Sequence, residues 1–310
     1  MKQPLEGIIP PLVTPLLKSS SSRQQLDVEA TQKLIDHVIE GGCGGIFILG
    51  TTGEWPSLSM ELKVTFIRLC CKHVNKRIPV LVGITDTCFE NTISLARECE
   101  RTGADCLVLT APYYYPMDQE ELIHYVNTVR EESNQLGLPI MLYNMPGLTK
   151  VRFDIEILRQ LIRHPDIVGI KDSSEDLEYF QKLCKLKKDL RPDWTVLMGP
   201  EHLTLDAIRL GGDGGVNGGA NVHPKMFVQL HDAATKQDWD KAEEIQKDII
   251  KFQDIYHLGT GAFPYIAATK CALAIQNLCS DTLASPFRPF SSEEAQRKIR
   301  HILESIPTYK

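Results

Sequence analysis

The 310-residue chain has no long apolar run, no cluster of basic residues and no cysteines at Cys-x-x-Cys spacing. Without an apolar run there is nothing to form a membrane-spanning helix. The early Ile8-Ile9 pair is broken up by Glu6, Pro10, Pro11 and Pro15, so no signal-peptide core is expected either. A net charge of −6 without a basic stripe argues against a nucleic-acid partner or a membrane surface. Nine cysteines are scattered, Cys70 and Cys71 adjacent, and read as reduced thiols of a cytoplasmic protein. No Gly-x-Gly-x-x-Gly follows the first apolar segment, which counts against an open, doubly wound dinucleotide-binding sheet.

What is present is alternation. Apolar segments at 7–14, 45–49, 80–84, 106–110, 140–144, 167–171, 195–198 and near 215–216 read as strands. Between them lie stretches with helical spacing, the first capped by Asp27 and stopped at Gly41-Gly42, the next starting at Ser59, Glu90, Asp118, Asp154, Asp176 and His202. Ser19 to Ser22 reads as a mobile strand-to-helix loop. About eight strand–helix units with near-continuous apolar strands predict an α/β fold, the (β/α)₈ TIM barrel. Beyond Pro224 only helices follow, at 226–234, 239–256 and 263–276, then one opened by Ser291-Ser292-Glu293-Glu294 as a capping box. The expected organisation is a barrel over 1–224 and C-terminal helices over 225–310, packed on the barrel or on a neighbouring subunit.

In such a barrel the reacting groups stand at the C-terminal ends of the strands. The segment Ile167-Val168-Gly169-Ile170-Lys171-Asp172-Ser173-Ser174 puts a lysine at one tip, followed by oxygens able to cap the next helix. Strand alternation places Lys171 and Gly169 on one face, with room beneath the lysine, and Ile170 and Val168 on the other. Desolvation there would lower the amine's pKa and make it a nucleophile toward a carbonyl. The competing reading is a solvent-reaching lysine paired with Asp172. The other tips carry Thr51 and Thr52, Tyr113 and Tyr114, Tyr143, Gly199 and Glu201, and the 217–221 loop. His202 and His223 are the only histidines near them, and Glu54 and Glu201 read as isolated, so no metal or other cofactor is expected. Tyr143, one strand from Lys171, suits a proton carrier of high pKa, and the Thr51-Thr52 hydroxyls and backbone N–H groups suit a substrate carboxylate. Each has an ordinary alternative: a core tyrosine, a bare turn, and packing or interface surface for Tyr113-Tyr114-Tyr115.

Together, Gly50-Thr51-Thr52-Gly53-Glu54, Pro112-Tyr113-Tyr114, Tyr143-Asn144-Met145-Pro146 and Gly169-Ile170-Lys171-Asp172 resemble, in order and spacing, the motifs of the dihydrodipicolinate synthase / N-acetylneuraminate lyase family. The resemblance runs from about Gly7 through the glycines at 211–219. It implies that Lys171 forms a Schiff base with pyruvate or another 2-oxo acid. Tyr143 would shuttle the proton, Thr51 and Tyr114 would complete its relay, and Thr51 with Thr52 would hold the carboxylate. It also implies a homo-oligomer, a dimer of dimers in which a tyrosine such as Tyr113 reaches the partner's site. Synthases of the family carry an arginine after the Tyr-Asn-x-Pro turn to bind the aldehyde substrate's carboxylate, and here Leu148 stands there, with Lys150 no bidentate substitute. Sialic-acid lyases carry an acidic pair after the strand-seven glycine and a serine in the last loop, where this chain has Pro200-Glu201-His202 and Gly218-Gly219. The expected reaction is reversible cleavage of a 2-oxo-3-deoxy sugar acid or sialic-acid-like substrate to pyruvate and an aldehyde, with Gly199, Glu201, Gly218 and Gly219 lining an open distal pocket. Dihydrodipicolinate synthase, condensing pyruvate with aspartate semialdehyde, and a dehydratase on a related sugar acid are the alternatives within the family. A catalytically silent ligand-binding barrel is the alternative outside it.

Overall fold

Short runs of valine, isoleucine and leucine, each closed by glycine or a polar residue, form the strands: β1 Gly7–Ile8, β2 Ile46–Ile48, β3 Val80–Gly83, β4 Cys106–Thr110, β5 Ile140–Asn144, β6 Ile167–Asp172, β7 Thr195–Met198 and β8 Gly214–Gly215. A computed structural model describes residues 5–18, 23–259, 263–290 and 292–309, so the expected serine loop at 19–22 lies outside the described residues. All neighbouring strands pair in parallel, in the order β1-β8-β7-β6-β5-β4-β3-β2. A parallel bridge between Pro11 and Phe47 closes the ring between β1 and β2. The strand expected over 7–14 is short because Pro10 and Pro11 have no N–H to give, and Leu12 N–H makes the bond to the Phe47 carbonyl at 2.8 Å instead.

The helices are α1 Val28–Glu40, α2 Met60–Val74, α3 Phe89–Thr102, α4 Gln119–Leu136, a single turn α5 Pro146–Thr149, α6 Ile155–Leu161, α7 Leu177–Leu190, α8 Thr204–Arg209, α9 Pro224–Thr235, α10 Trp239–Phe252, α11 Pro264–Ile275 and α12 Glu293–Ser305. Their starts follow local chemistry. Asp27, Ser59 and Asp176 each accept a backbone N–H of the first turn, and Asp118 forms a full capping box with Glu121. Asp176, not the Asp172-Ser173-Ser174 triplet, caps α7. The box expected at Ser291 to Glu294 is also displaced: Ser292 is the cap, bonded to Ala295 N–H, so an alanine occupies the position a glutamate would need.

Period-two alternation divides the core. Ile9, Phe47, Leu81, Val108, Met141, Tyr143 and Leu197 fill the barrel, while Ile46, Ile48, Val82, Leu109, Leu142, Ile170 and Val196 face the helices. One expectation fails locally. The β5–β6 register slips, pairing Ile140 with Ile167 but Met141 with Gly169, and this bulge turns Val168 toward the barrel interior instead of beside Ile170. Gly169 does not make room for Lys171 either. A Cβ there would stand 2.4 Å from the Thr195 carbonyl oxygen, so the glycine lets β7 approach.

Helix α9 packs against β1 and α8 and stands where the eighth barrel helix belongs, so the barrel extends past the expected 224/225 division. Helix α10 packs on α9, and α11 packs with α12 and the turn at 253–258. Among the described residues no helix is long and apolar enough to cross a membrane.

Candidate active site

Lys171 is 5% exposed at the tip of β6, and Tyr143 is its register partner on β5. Its Nζ lies 4.1 Å from the Tyr143 ring centroid and 5.3 Å from that of Phe47, rings that themselves meet edge to face at 6.2 Å. Burial holds the Lys171 amine below the usual lysine range, while the Tyr143 phenol and the Asp172 carboxylate pull the other way. The side chain of Asp172 is not its partner. Asp172 is fully buried, accepts Asn144 Nδ2 at 2.7 Å and the Ser174 hydroxyl at 2.9 Å, and belongs to a network in which Asn144 Oδ1 also accepts Phe153 N–H at 3.2 Å. The solvent-reaching, Asp-paired lysine is thereby excluded.

The Tyr143 hydroxyl and Thr51 Oγ1 are 3.1 Å apart. Thr51 sits on a doubly turned loop in which Gly53 N–H bonds the Gly50 carbonyl and Glu54 N–H the Thr51 carbonyl, each at 3.0 Å. Gly50 to Glu54 is therefore an organised loop, with Thr51 half-buried and Thr52 buried at its apex.

The tyrosines after β4 divide differently from expectation. Tyr114 is 69% exposed with its ring edge-to-face on Tyr115, so within one chain it makes no relay with Thr51 and Tyr143. Tyr113, expected to reach a partner, is half-buried against Trp55 at 5.7 Å. Tyr114 and Tyr115 line an outer groove of about 580 Å³ together with Phe89 and Met117.

The distal residues are closed rather than open. Glu201 is 6% exposed and accepts Gly219 N–H at 2.5 Å and the Tyr256 hydroxyl at 3.1 Å, while Oε2 is buried without a hydrogen-bond partner. Burial pushes its carboxyl up to about 7, against the pull of the Gly219 N–H and the Tyr256 hydroxyl. A Cβ on Gly219 would stand 2.6 Å from Phe252 and 2.9 Å from Glu201 Oε2, so this glycine opens no space. Gly218 lies between Glu201 and Thr52, a Cβ there being 3.4 Å from Glu201 Oε1 and 3.8 Å from Thr52 Oγ1. Gly199 serves the backbone: its N–H bonds the Asp172 carbonyl at 2.7 Å and its carbonyl accepts Asn217 Nδ2 at 3.1 Å. His202 is exposed, whereas Glu201 beside it is buried. Leu148 is half-buried on α5, and the cations after it turn elsewhere, Lys150 to the Tyr114 carbonyl at 3.5 Å and Arg152 to Asp176 at 3.1 Å.

Several participants escaped sequence reasoning. Phe47 walls the lysine, Asn144 anchors the strand tip, and Tyr256 reaches Glu201 from the C-terminal region. Glu54, read as isolated, is paired with Lys270 of α11 at 2.5 Å. A signal for that pair was present: Lys270 is the one charge in the otherwise buried run Ile266 to Leu273, and a fully buried lysine needs a partner.

Known proteins resemble this chain over nearly its whole length. A dihydrodipicolinate synthase from Bacteroides thetaiotaomicron is 40% identical, covers 98% of this chain and 99% of its own, and superposes with a TM-score of 0.91. YagE from Escherichia coli, solved in complex with pyruvate and described as a prophage protein of the dihydrodipicolinic acid synthase family, is 30% identical over 97% of this chain and 98% of its own, with a TM-score of 0.89. The 4-hydroxy-tetrahydrodipicolinate synthase of Thermodesulfovibrio yellowstonii is 32% identical over 98% of this chain and 99% of its own length. With the pattern of the dihydrodipicolinate synthetase family matched over residues 4–306, the chain belongs to that family.

Proposed function

We propose that the chain is a pyruvate-dependent carbon–carbon lyase of the class I aldolase type, with Lys171 as its Schiff-base amine. One observation carries the reading: a buried amine that forms no ion pair among the described residues faces a phenol that is itself tied to Thr51. The neutral Lys171 amine adds to the C2 carbonyl of a 2-oxo acid, and the developing alkoxide takes the Tyr143 phenolic proton. The carbinolamine then loses water, leaving an iminium. In the cleavage direction the C3–C4 bonding electrons pass into that iminium to give an enamine, while the C4 hydroxyl proton goes to the Tyr143 oxygen and an aldehyde departs. Protonation at C3 and hydrolysis return pyruvate and free Lys171. Thr51 relays the Tyr143 proton, and Thr51 with Thr52 holds the substrate carboxylate through hydroxyl and backbone N–H donors.

The second substrate follows from charge. Leu148 and the outward-turned Lys150 and Arg152 leave no bidentate donor for a second carboxylate at this turn, which favours cleavage of a 2-oxo-3-deoxy sugar acid. A sialic-acid-like substrate fits less well, because Glu201 and Gly219 are already engaged with each other. YagE is proposed to be a 2-dehydro-3-deoxy-D-gluconate aldolase. The relative at 40% identity is described as a dihydrodipicolinate synthase, and this favours condensation with aspartate semialdehyde as the second reading.

The assembly we infer is a homo-oligomer built as a pair of dimers, with exposed Tyr114 rather than Tyr113 as the tyrosine that completes a neighbouring site. Pyruvate with borohydride, followed by mapping of the mass shift, tests the lyase: an adduct on Lys171 is expected. Folded protein with unmodified Lys171 points instead to a silent ligand-binding barrel. Pyruvate release from a panel of sugar acids, run beside aspartate semialdehyde condensation, separates the two substrates.

A further inference from the structure

The loop carrying Thr51 and Thr52 is held from outside the barrel. Glu54 ends that loop in a left-handed conformation, φ 59°, with 3% of its surface exposed. Its Oε1 lies 2.5 Å from Lys270 Nζ, and its Oε2 accepts Ala284 N–H at 2.7 Å. Lys270, fully buried on α11, also donates to the Thr282 carbonyl at 2.7 Å. Both ends of the pair are therefore fixed to the C-terminal region in three places. On the loop side, Glu54 N–H bonds the Thr51 carbonyl at 3.0 Å, and Thr51 Oγ1 meets the Tyr143 hydroxyl at 3.1 Å. A continuous path of polar contacts thus runs from Lys270 through Glu54 and Thr51 to the phenol beside Lys171.

We propose that Lys270, acting through Glu54, is a positioning residue that sets Thr51 and Thr52 against the Tyr143 hydroxyl and the carboxylate of the incoming 2-oxo acid. The inference rests on the lyase reading of the site. A buried ion pair is a poor way to add stability, since apolar side chains of the same volume commonly do as well. It is a directional tether, however, and this one ends on the backbone of the residue whose hydroxyl meets the phenol. The residue itself touches neither substrate nor reacting atoms. Its effect is on where the two threonines stand, and a sub-ångström to 1 Å misplacement of such donors is costly.

The experiment measures the pyruvate concentration that half-saturates borohydride-trapped adduct on Lys171, in the full chain, for the wild type, Lys270→Met, Lys270→Arg and the charge-free pair Glu54→Gln with Lys270→Met. The double variant keeps an acceptor for Ala284 N–H and leaves no lone buried charge, so it provides a folded comparison even if Lys270→Met alone is too destabilised to assay. Expected is a half-saturating concentration raised on the order of 10- to 100-fold in the folded Met variants, with Lys270→Arg close to wild type. Hydrogen exchange of the 50–54 amides should quicken in the same variants. A folded double variant with half-saturation within about twofold of wild type overturns the proposal and leaves the pair a matter of stability alone. A wild-type chain that forms no adduct overturns the lyase reading and this inference together, whereas a wild-type adduct with an unshifted double variant removes only the inference.

Discussion

Two lysines of this chain are equally hidden and do opposite things. Lys171, 5% exposed at the tip of β6, faces two aromatic rings, and its amine is held below the ordinary range by desolvation. Lys270, 0% exposed on α11, has a carboxylate at 2.5 Å and a carbonyl at 2.7 Å. Burial alone does not make a lysine reactive. What surrounds the amine decides: desolvation without a close ion pair holds the Lys171 amine below its ordinary range, whereas Lys270 is tied to a carboxylate and a carbonyl as a structural contact.

Breaking the first member should have the largest consequence for chemistry. Lys171→Met removes the amine placed against Tyr143, and turnover should fall on the order of 10⁴- to 10⁶-fold, with the pyruvate mass shift lost. Because the native amine is buried without a direct ion pair among the described residues, the same substitution should leave the urea midpoint unchanged or raise it. A Lys171→Met variant that still accumulates the pyruvate adduct would move the nucleophile to another lysine. Tyr143→Phe comes next. It keeps the ring against Lys171 and Phe47 but removes the hydroxyl that meets Thr51, so turnover should drop by about 10²- to 10⁴-fold with the fold retained, as judged by kcat and near-ultraviolet dichroism. An unaltered kcat would transfer the proton to a different group.

The second member should break in the other sense. Lys270→Met strands the Glu54 carboxylate in the interior and should cost about 3–5 kcal/mol of unfolding free energy in a urea titration. Adding Glu54→Gln should recover most of it, because no lone charge is left. If Lys270→Met is as stable as the wild type, the two buried lysines are not distinguished by their partners, and the contrast drawn between them fails.

The contrast also explains what could be seen in the sequence. The strand tips were legible because each is bounded by its own residues: an apolar run ends, a polar residue follows, and Lys171, Tyr143, Thr51 and Thr52 fall at those ends. The barrel followed from the number of such units. What was not legible depends on residues far apart in the chain. Glu54 meets Lys270, and Glu201 meets Tyr256, across long stretches of chain. Neither pair has a spacing rule. The bulge that turns Val168 inward is a property of the β5–β6 pairing, invisible in either strand alone. The opposite placement of Tyr113 and Tyr114 depends on where Trp55 stands, a residue of another loop.

The smallest expected effect concerns Glu201, a buried carboxyl that resembles neither lysine: its Oε1 is bonded, its Oε2 has no hydrogen-bond partner, and its pKa is pushed up to about 7 by burial. The sign follows from proton uptake. An unfolded glutamate ionises near 4.5, whereas the folded one keeps its proton to about 7. Between those limits the folded state holds more protons, so this group's contribution to stability is full below 4.5, declines as pH rises, and is gone above about 7. The decline is on the order of 3 kcal/mol for so buried a group. Glu201→Gln keeps an acceptor for Gly219 N–H and the Tyr256 hydroxyl but cannot ionise. Urea titrations of both proteins from pH 4.5 to 7.5 should therefore show the difference between them narrowing at the acid end and widening toward neutrality, in favour of the glutamine variant. Parallel curves across that range would mean that Glu201 is ionised throughout in the folded chain, paired with a charge that the closed arrangement around Gly219 does not supply.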